Sequence, residues 1–384
     1  MRSYQAILVL ALSAFCMGVT EFVVAGILPK LAVFFEVAES KAGFLVTIYA
    51  IGVVIGAPLL SVPLSCVDRR RQLLINLAIF IVANLMIGLS TNFYLTAFAR
   101  FVAGCMHGVF FVNATLSVLM VAPKGKENSS LSLMVSGLTI ALVSGVPLGT
   151  FVGQVFGFQS VFFFIVFLSS CAFVGVFFLM PKNLESKQAN FSSLYKALKI
   201  PFLLKVYCLT AATCGGAFVL YTYIASFLST LSGFNEHAIG ILLLVYGFGA
   251  ILGNLFGGKL TDLRGSVMAL RIILICQVIF FSLMGISAYS QIFVSINLFI
   301  MGFFAFAGIS PLKSFAMIAA QKYAQDFKDS AVSVNEASFN VGIALASFFG
   351  GLIVEIFGVG YNPFFAALFV LPALWIVATQ SRTI

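Results

Sequence analysis

Apolar runs of roughly 19 to 29 residues, separated by short polar breaks, recur along the whole chain. They cover roughly 6–29, 41–64, 73–91, 94–121, 130–155 and 160–180, then 203–230, 238–260, 267–288, 291–319, 331–357 and 361–380. At about 1.5 Å of rise per residue, each can cross the ~30 Å hydrocarbon layer of a bilayer as a helix. The pattern predicts about twelve crossings. The one long polar stretch, Pro181–Pro201, divides them six and six, and its YKALK portion suits a short surface helix. The expected organisation is an all-α integral membrane protein: a six-helix bundle over 1–180, a linker over 181–201 and a second bundle over 202–384.

Composition agrees. The chain is 61% hydrophobic and 9% charged, against about 25% charged in soluble domains. The net charge of +9 does not mark a nucleic-acid binder, because the basic residues lie between apolar runs and form no stripe. They set orientation instead. With the N-terminus inside, Arg2, Arg69–Arg71, Lys124, Lys126, Lys182, Lys187, Lys196, Lys199, Lys205, Lys259, Arg264, Arg271, Lys322, Lys328 and Arg382 face the cytoplasm; only Lys30 and Lys41 face out. Both termini are expected in the cytoplasm of a multi-pass plasma-membrane protein. The first run is too long for a signal-peptide core and reads as a retained span. The seven cysteines show no metal or redox spacing and read as small buried hydrophobes.

The halves repeat. Gly43, Tyr49, Gly52 and Gly56 of the second run recur in the eighth as Gly240, Tyr246, Gly249 and Gly253, and Asp68 is answered by Asp262. Gly149, Phe156 and Gly157 of the fifth recur as Gly350, Phe357 and Gly358.

Glu21 is the chemical anomaly. It lies eight residues from Pro29 within the first apolar run, about 12 Å deep. An ionisable group at such depth is a functional candidate that needs a partner, unless it is a neutral packing group. Arg100, in the fourth run, lies about 9 Å from the same face and is the preferred ion-pair partner, with snorkelling to the interface as the alternative. His107 follows two turns later on nearly the same helix face, as a proton carrier or a hydrogen-bonded packing residue. Phe22, Asn113, Tyr221, Tyr223 and Asn297 are the candidates for a solute cavity, the tyrosines because a mid-span hydroxyl needs a partner. Asp68 and Arg70 in the Asp68–Arg71 turn after the second run, and Asp262 and Arg264 after the eighth, suit helix-end contacts and gating, and the arginines of these turns can meet a carboxylate or lipid phosphate. Glu336 lies at a depth where it would pair with an arginine of the first turn, and Lys313 would snorkel. Gly145, Gly149, Gly153 and Gly157, with Pro147 among them, predict a small-residue face on which another helix packs closely. Gly253–Lys259 matches GxxxxGK, but Leu260 follows and a helix precedes, so no nucleotide loop is read there.

TEFVVAGILP (Thr20–Pro29), FARFVAG with Arg100, SGVPLGTFVG (Ser144–Gly153), YTYIASFL (Tyr221–Leu228) and GGKLTDLRG (Gly257–Gly265) occur in one order. Together they resemble the major facilitator superfamily, and within it the twelve-helix drug:proton antiporters of the sugar-efflux, purine-efflux and chloramphenicol-resistance type. The resemblance spans the chain. It implies two six-helix bundles about a cavity lined by helices one, four, seven and ten. It implies an antiporter signature on Gly145, Pro147 and Gly149, proton coupling through Arg100, and cytoplasmic gating through Asp68. The first loop signature departs from the family pattern, with Leu64 and Arg71 where glycines are usual; the second copy, Gly258–Gly265, matches better.

The function expected is secondary active transport: efflux of a small organic solute such as a drug, sugar or nucleoside in exchange for protons, by alternating access of the two repeats. An uptake symporter or uniporter of the same fold is the alternative, and a channel or membrane sensor a more distant one. No nucleophile elbow, metal cluster or nucleotide loop suggests an enzyme. The expected partners are solute, protons and lipid, for a monomer without cofactor or metal.

Overall fold

The computed structural model describes residues 2–64, 66–124, 126–182, 184 and 191–379. Among them the regular structure is helical, as backbone surrounded by lipid requires: in hydrocarbon every N–H and C=O must be satisfied within its own segment. The first half contains α1 (Ser3–Phe34), α2 (Glu39–Leu64), α3 (Arg69–Leu89), α4 (Phe93–Val121), α5 (Ser129–Phe156) and α6 (Phe158–Leu179). The second contains α7 (Pro201–Tyr221), α8 (Glu236–Ser287), α9 (Gln291–Tyr323), α10 (Ser330–Phe357) and α11 (Val359–Ala378). At 52 residues, α8 would be about 78 Å long as one rod. Gly265, with φ 76° and ψ 161°, divides it into two limbs, each long enough to cross. The twelve expected crossings are thus present as eleven continuous elements among the described residues. The short helix Phe191–Leu198 carries the YKALK residues.

The helix ends follow local chemistry. Asp68 caps α3 by accepting from the backbone N–H of Arg71, Asn92 caps α4 by accepting from Tyr94 and Leu95, and Asn235 caps α8 by accepting from Ala238. Wider π-type turns at Gly56–Leu60 and Ala141–Gly145 lie at or just before Pro58 and Pro147, where proline removes a backbone donor from the ladder. α7 stops at Tyr221, turns through Thr222 and Tyr223, and resumes as Ile224–Thr230.

The chain packs as two compact units. One comprises Met1–Phe35 and Ile48–Phe191, the other Glu36–Thr47 and Ser192–Ile384, so the first turns of α2 belong with the second. Within the first unit, glycines bring α2 and α4 into backbone contact. A Cβ on Gly52 or Gly56 would strike the carbonyl oxygen of Phe101 or Cys105, and one on Gly104 that of Tyr49. The second unit repeats the device: Gly249 faces the Phe299 carbonyl, Gly253 that of Phe303, and Gly302 that of Tyr246. The repeat read from the sequence is therefore a repeat of backbone contacts. Gly157 and Gly358 repeat too, closing α5 and α10 with φ of 84° and 89°.

The small face of α5 lies along α1. A Cβ on Gly149 would sit 2.7 Å from Val23 Cγ2, and one on Gly153 3.0 Å from Ile27 Cγ2, while Gly145 abuts Val19. Gly157 does not extend this face, because it is the positive-φ residue that ends the helix.

Candidate functional site

α1, α2 and α4 bring four polar side chains together inside the first unit: Glu21, Tyr49, Arg100 and His107, none more than 5% exposed. Arg100 and His107 stand two turns apart on α4 and so share a face. Tyr49 comes from α2, held against α4 by the contact of its own carbonyl with Gly104.

Glu21 and Arg100 lie in the same pocket, but the direct contacts seen for each among the described residues are with other groups. Arg100 Nη1 donates to the Thr20 carbonyl at 2.5 Å, and the guanidinium lies 4.2 Å from the centroid of the Tyr49 ring. Glu21 Oε2 lies instead 4.0 Å from His107 Nδ1, and the Tyr49 hydroxyl is 2.8 Å from the same nitrogen. The tyrosine ring thus meets the cation that was expected to meet the carboxylate. A desolvated cation over an aromatic face is attracted by about 2 kcal/mol, which gives Arg100 a partner without a formal charge.

The chemistry of this arrangement turns on His107. With Nδ1 bare, the ring accepts from the Tyr49 hydroxyl. With Nδ1 protonated, it donates to that hydroxyl or faces the Glu21 carboxylate. Phe111 lies on the imidazole at 5.0 Å between centroids and Tyr49 meets it edge-on at 5.7 Å, which limits its rotation. Two titratable groups and one guanidinium therefore share a buried pocket, where charge and desolvation are felt strongly.

The other candidates scatter. Phe22 is buried on α1 beside Glu21. Asn113 accepts from Arg69 Nη1 at 2.9 Å. In the second unit, Tyr221 stacks on Tyr246 at 4.8 Å, and Tyr223 donates to the Ser347 carbonyl at 3.0 Å. Asn297 donates to the Phe280 carbonyl at 3.2 Å, tying α9 to the second limb of α8. Asp68 pairs with Arg71 at 3.0 Å, while Arg70 lies on Phe177 and donates to its carbonyl. Asp262 and Arg264 are exposed. Glu336 of α10, expected to meet an arginine of the first turn, pairs with Lys313 of α9 in its own unit at 3.1 Å.

Tyr49 and Tyr246 were legible only as repeat markers. The signal for a larger role was present in Tyr49, a hydroxyl mid-span between glycines that force close helix approach. A groove of about 540 Å³ between α7, α10 and α11 is lined by apolar side chains such as Leu345, Phe349 and Leu368, with the Cys208 thiol. It has no polar group able to orient a solute.

Twin helical units with matching backbone contacts, a broken helix and a buried ionisable cluster define a membrane transporter of the repeat-built kind. The family comparison agrees: the Major Facilitator Superfamily model matches residues 10–323 and 206–381. The chain belongs to the Major Facilitator Superfamily. It is similar to the uncharacterized MFS-type transporter YtbD of Bacillus subtilis, at 34% identity over 96% of this chain and 93% of the relative. It is also similar to the inner membrane transport protein YdhP of Escherichia coli K12, at 30% identity over 100% and 97%. A probable sugar efflux transporter of Helicobacter pylori 26695 shares 28% identity over 98% and 96%.

Proposed function

We propose that this transporter exports a small organic solute in exchange for protons by alternating access, with Glu21 as the principal coupling group. The observation that carries the reading is the placement of Glu21, His107, Tyr49 and Arg100 in one buried pocket. The proton affinity of a carboxyl depends on desolvation and on neighbouring charge, which oppose one another beside a guanidinium. Both change when α1 and α4 gain or lose access to water. Antiport requires a group whose proton affinity differs between the two access states, by linkage.

Arg100 tunes the pocket, and His107 is the second carrier. The interrupted helix at Thr222–Tyr223 supports a solute site in the second unit, since broken helices line transporter sites. The sugar-efflux name of one relative supports a neutral, hydroxyl-rich solute, and the basic loops support both termini in the cytoplasm.

The test is reconstituted Glu21→Gln under an imposed pH gradient. The amide keeps the shape of the protonated acid, so exchange of labelled solute down its gradient continues while uphill accumulation disappears. Accumulation equal to wild type would make Glu21 structural and direct attention to His107.

A further inference from the structure

Three successive arginines open α3, and their fates differ. Arg71 is exposed and paired with Asp68; Arg70 lies over Phe177. Arg69 turns inward and is only 6% exposed. A cation at a helix end in a membrane ordinarily extends its head toward water. This one buries it against amides: Nη1 donates to Asn113 Oδ1 at 2.9 Å and to Gln72 Oε1 at 3.2 Å. Among the described residues no carboxylate pairs with it. A buried guanidinium without a counter-charge is costly.

Two donors remain unused. The Nε–Nη2 edge of Arg69 makes no hydrogen bond among the described residues, and Nε itself is buried. That edge is the fork that matches a carboxylate or phosphate with two parallel bonds. Asn113 is fully buried, and because its Oδ1 must face the guanidinium, its Nδ2 is fixed as a donor; that nitrogen also has no partner. Arg69 is the first residue of α3, but Asp68 already caps that helix end and the Arg69 N–H donates to the Leu184 carbonyl at 3.0 Å, so the free donors are those of the Arg69 and Asn113 side chains.

From the unused fork, the orphaned amide and the lack of a counter-charge among the described residues, we infer that Arg69 and Asn113 form an oxyanion-binding site at the start of α3. Its ligand is a phosphate or carboxylate group. Two sources supply that chemistry, the headgroup of an anionic phospholipid and a free anion from the aqueous phase. The site is separate from the Glu21 pocket and does not depend on proton coupling.

Thermal unfolding of the purified full chain tests it in two arms. In neutral detergent, inorganic phosphate is titrated against chloride at matched ionic strength. In lipid nanodiscs, phosphatidylglycerol is compared with phosphatidylcholine. The expected result is a rise in Tm of several degrees in at least one arm. A phosphate response identifies a free-anion site; a response to phosphatidylglycerol alone identifies a headgroup site.

Arg69→Gln removes the fork and abolishes the response. Asn113→Asp is the more telling variant, because it places a carboxylate where Oδ1 already meets Nη1 and neutralises the guanidinium from within. It should fold at least as well as wild type without added anion and no longer respond. The inference is overturned if wild type shows no anion-specific rise in either arm, or if Asn113→Asp responds as wild type does.

Discussion

The two units share a scaffold and differ in what they place on it. Gly52, Gly56 and Gly104 of the first correspond to Gly249, Gly253 and Gly302 of the second, each against the carbonyl at the matching position. Tyr49 and Tyr246 occupy equivalent places. Around the first tyrosine the chain puts Glu21, Arg100 and His107; extending the same offsets around the second gives Phe218, Leu298 and Ala305. Tyr49 therefore meets a guanidinium and an imidazole, whereas Tyr246 stacks on Tyr221 and its buried hydroxyl has no hydrogen-bond partner among the described residues. Duplication preserved the contacts that hold helices together, because those depend only on backbone and glycine. Among the described residues, the buried cluster of carboxylate, imidazole and guanidinium stands in the first copy. In a bilayer that economy has a reason, since each buried ionisable group is costly and needs partners.

The largest effect should come from attacking what the copies share. Gly104→Ala and Gly302→Ala each push a methyl into a tyrosine carbonyl, an overpacking that costs about 1–3 kcal/mol. Both variants should lose thermal stability in detergent by similar amounts. If only one melts early, the two interfaces are not energetic equivalents.

A smaller and opposite pair of effects tests what the copies do not share. Tyr49→Phe keeps the ring beneath Arg100 but removes the hydroxyl bonded to His107. It should cost about 1 kcal/mol and reduce pH-driven transport several-fold, as measured in proteoliposomes. Tyr246→Phe removes a hydroxyl with no partner among the described residues, so stability should hold or rise. A Tyr246→Phe variant that is as unstable as Tyr49→Phe would show an unrecognised partner in the second unit.

These contrasts also explain what the residues disclosed in advance. The helices were legible because a membrane span must be a continuous apolar run, and their ends because Asp68, Asn92 and Asn235 are strong N-caps. The break in α8 was marked by the polar DLRG around Gly265. The break in α7 was not, since YTY sits within an otherwise unbroken apolar stretch and nothing local requires a turn there. Glu21 announced itself by depth alone, but depth does not name a partner. Arg100 is close enough in height, and only the packing of α2 shows that the Tyr49 ring takes the guanidinium. Arg69 was read with its neighbours as a cytoplasmic-side arginine able to meet a carboxylate or lipid phosphate; its inward turn was not legible, because that depends on Asn113, forty-four residues away.

The smallest effect concerns the charged pair of the second unit. Lys313 and Glu336 meet at 3.1 Å with side chains 53% and 49% exposed. Water therefore screens the pair, and such pairs contribute about 0–1 kcal/mol. Glu336→Gln should leave Tm within a degree or two of wild type, and a double-mutant cycle with Lys313→Met should give a coupling energy that shrinks as salt is raised. The first unit's pocket is buried, so substitutions there should be far less sensitive to salt. A coupling energy at Lys313–Glu336 well above about 1 kcal/mol, or one indifferent to salt, would mean that the pair is desolvated in the membrane. The second unit would then carry a buried charge of its own, and the division between a charged copy and an aromatic copy would fail.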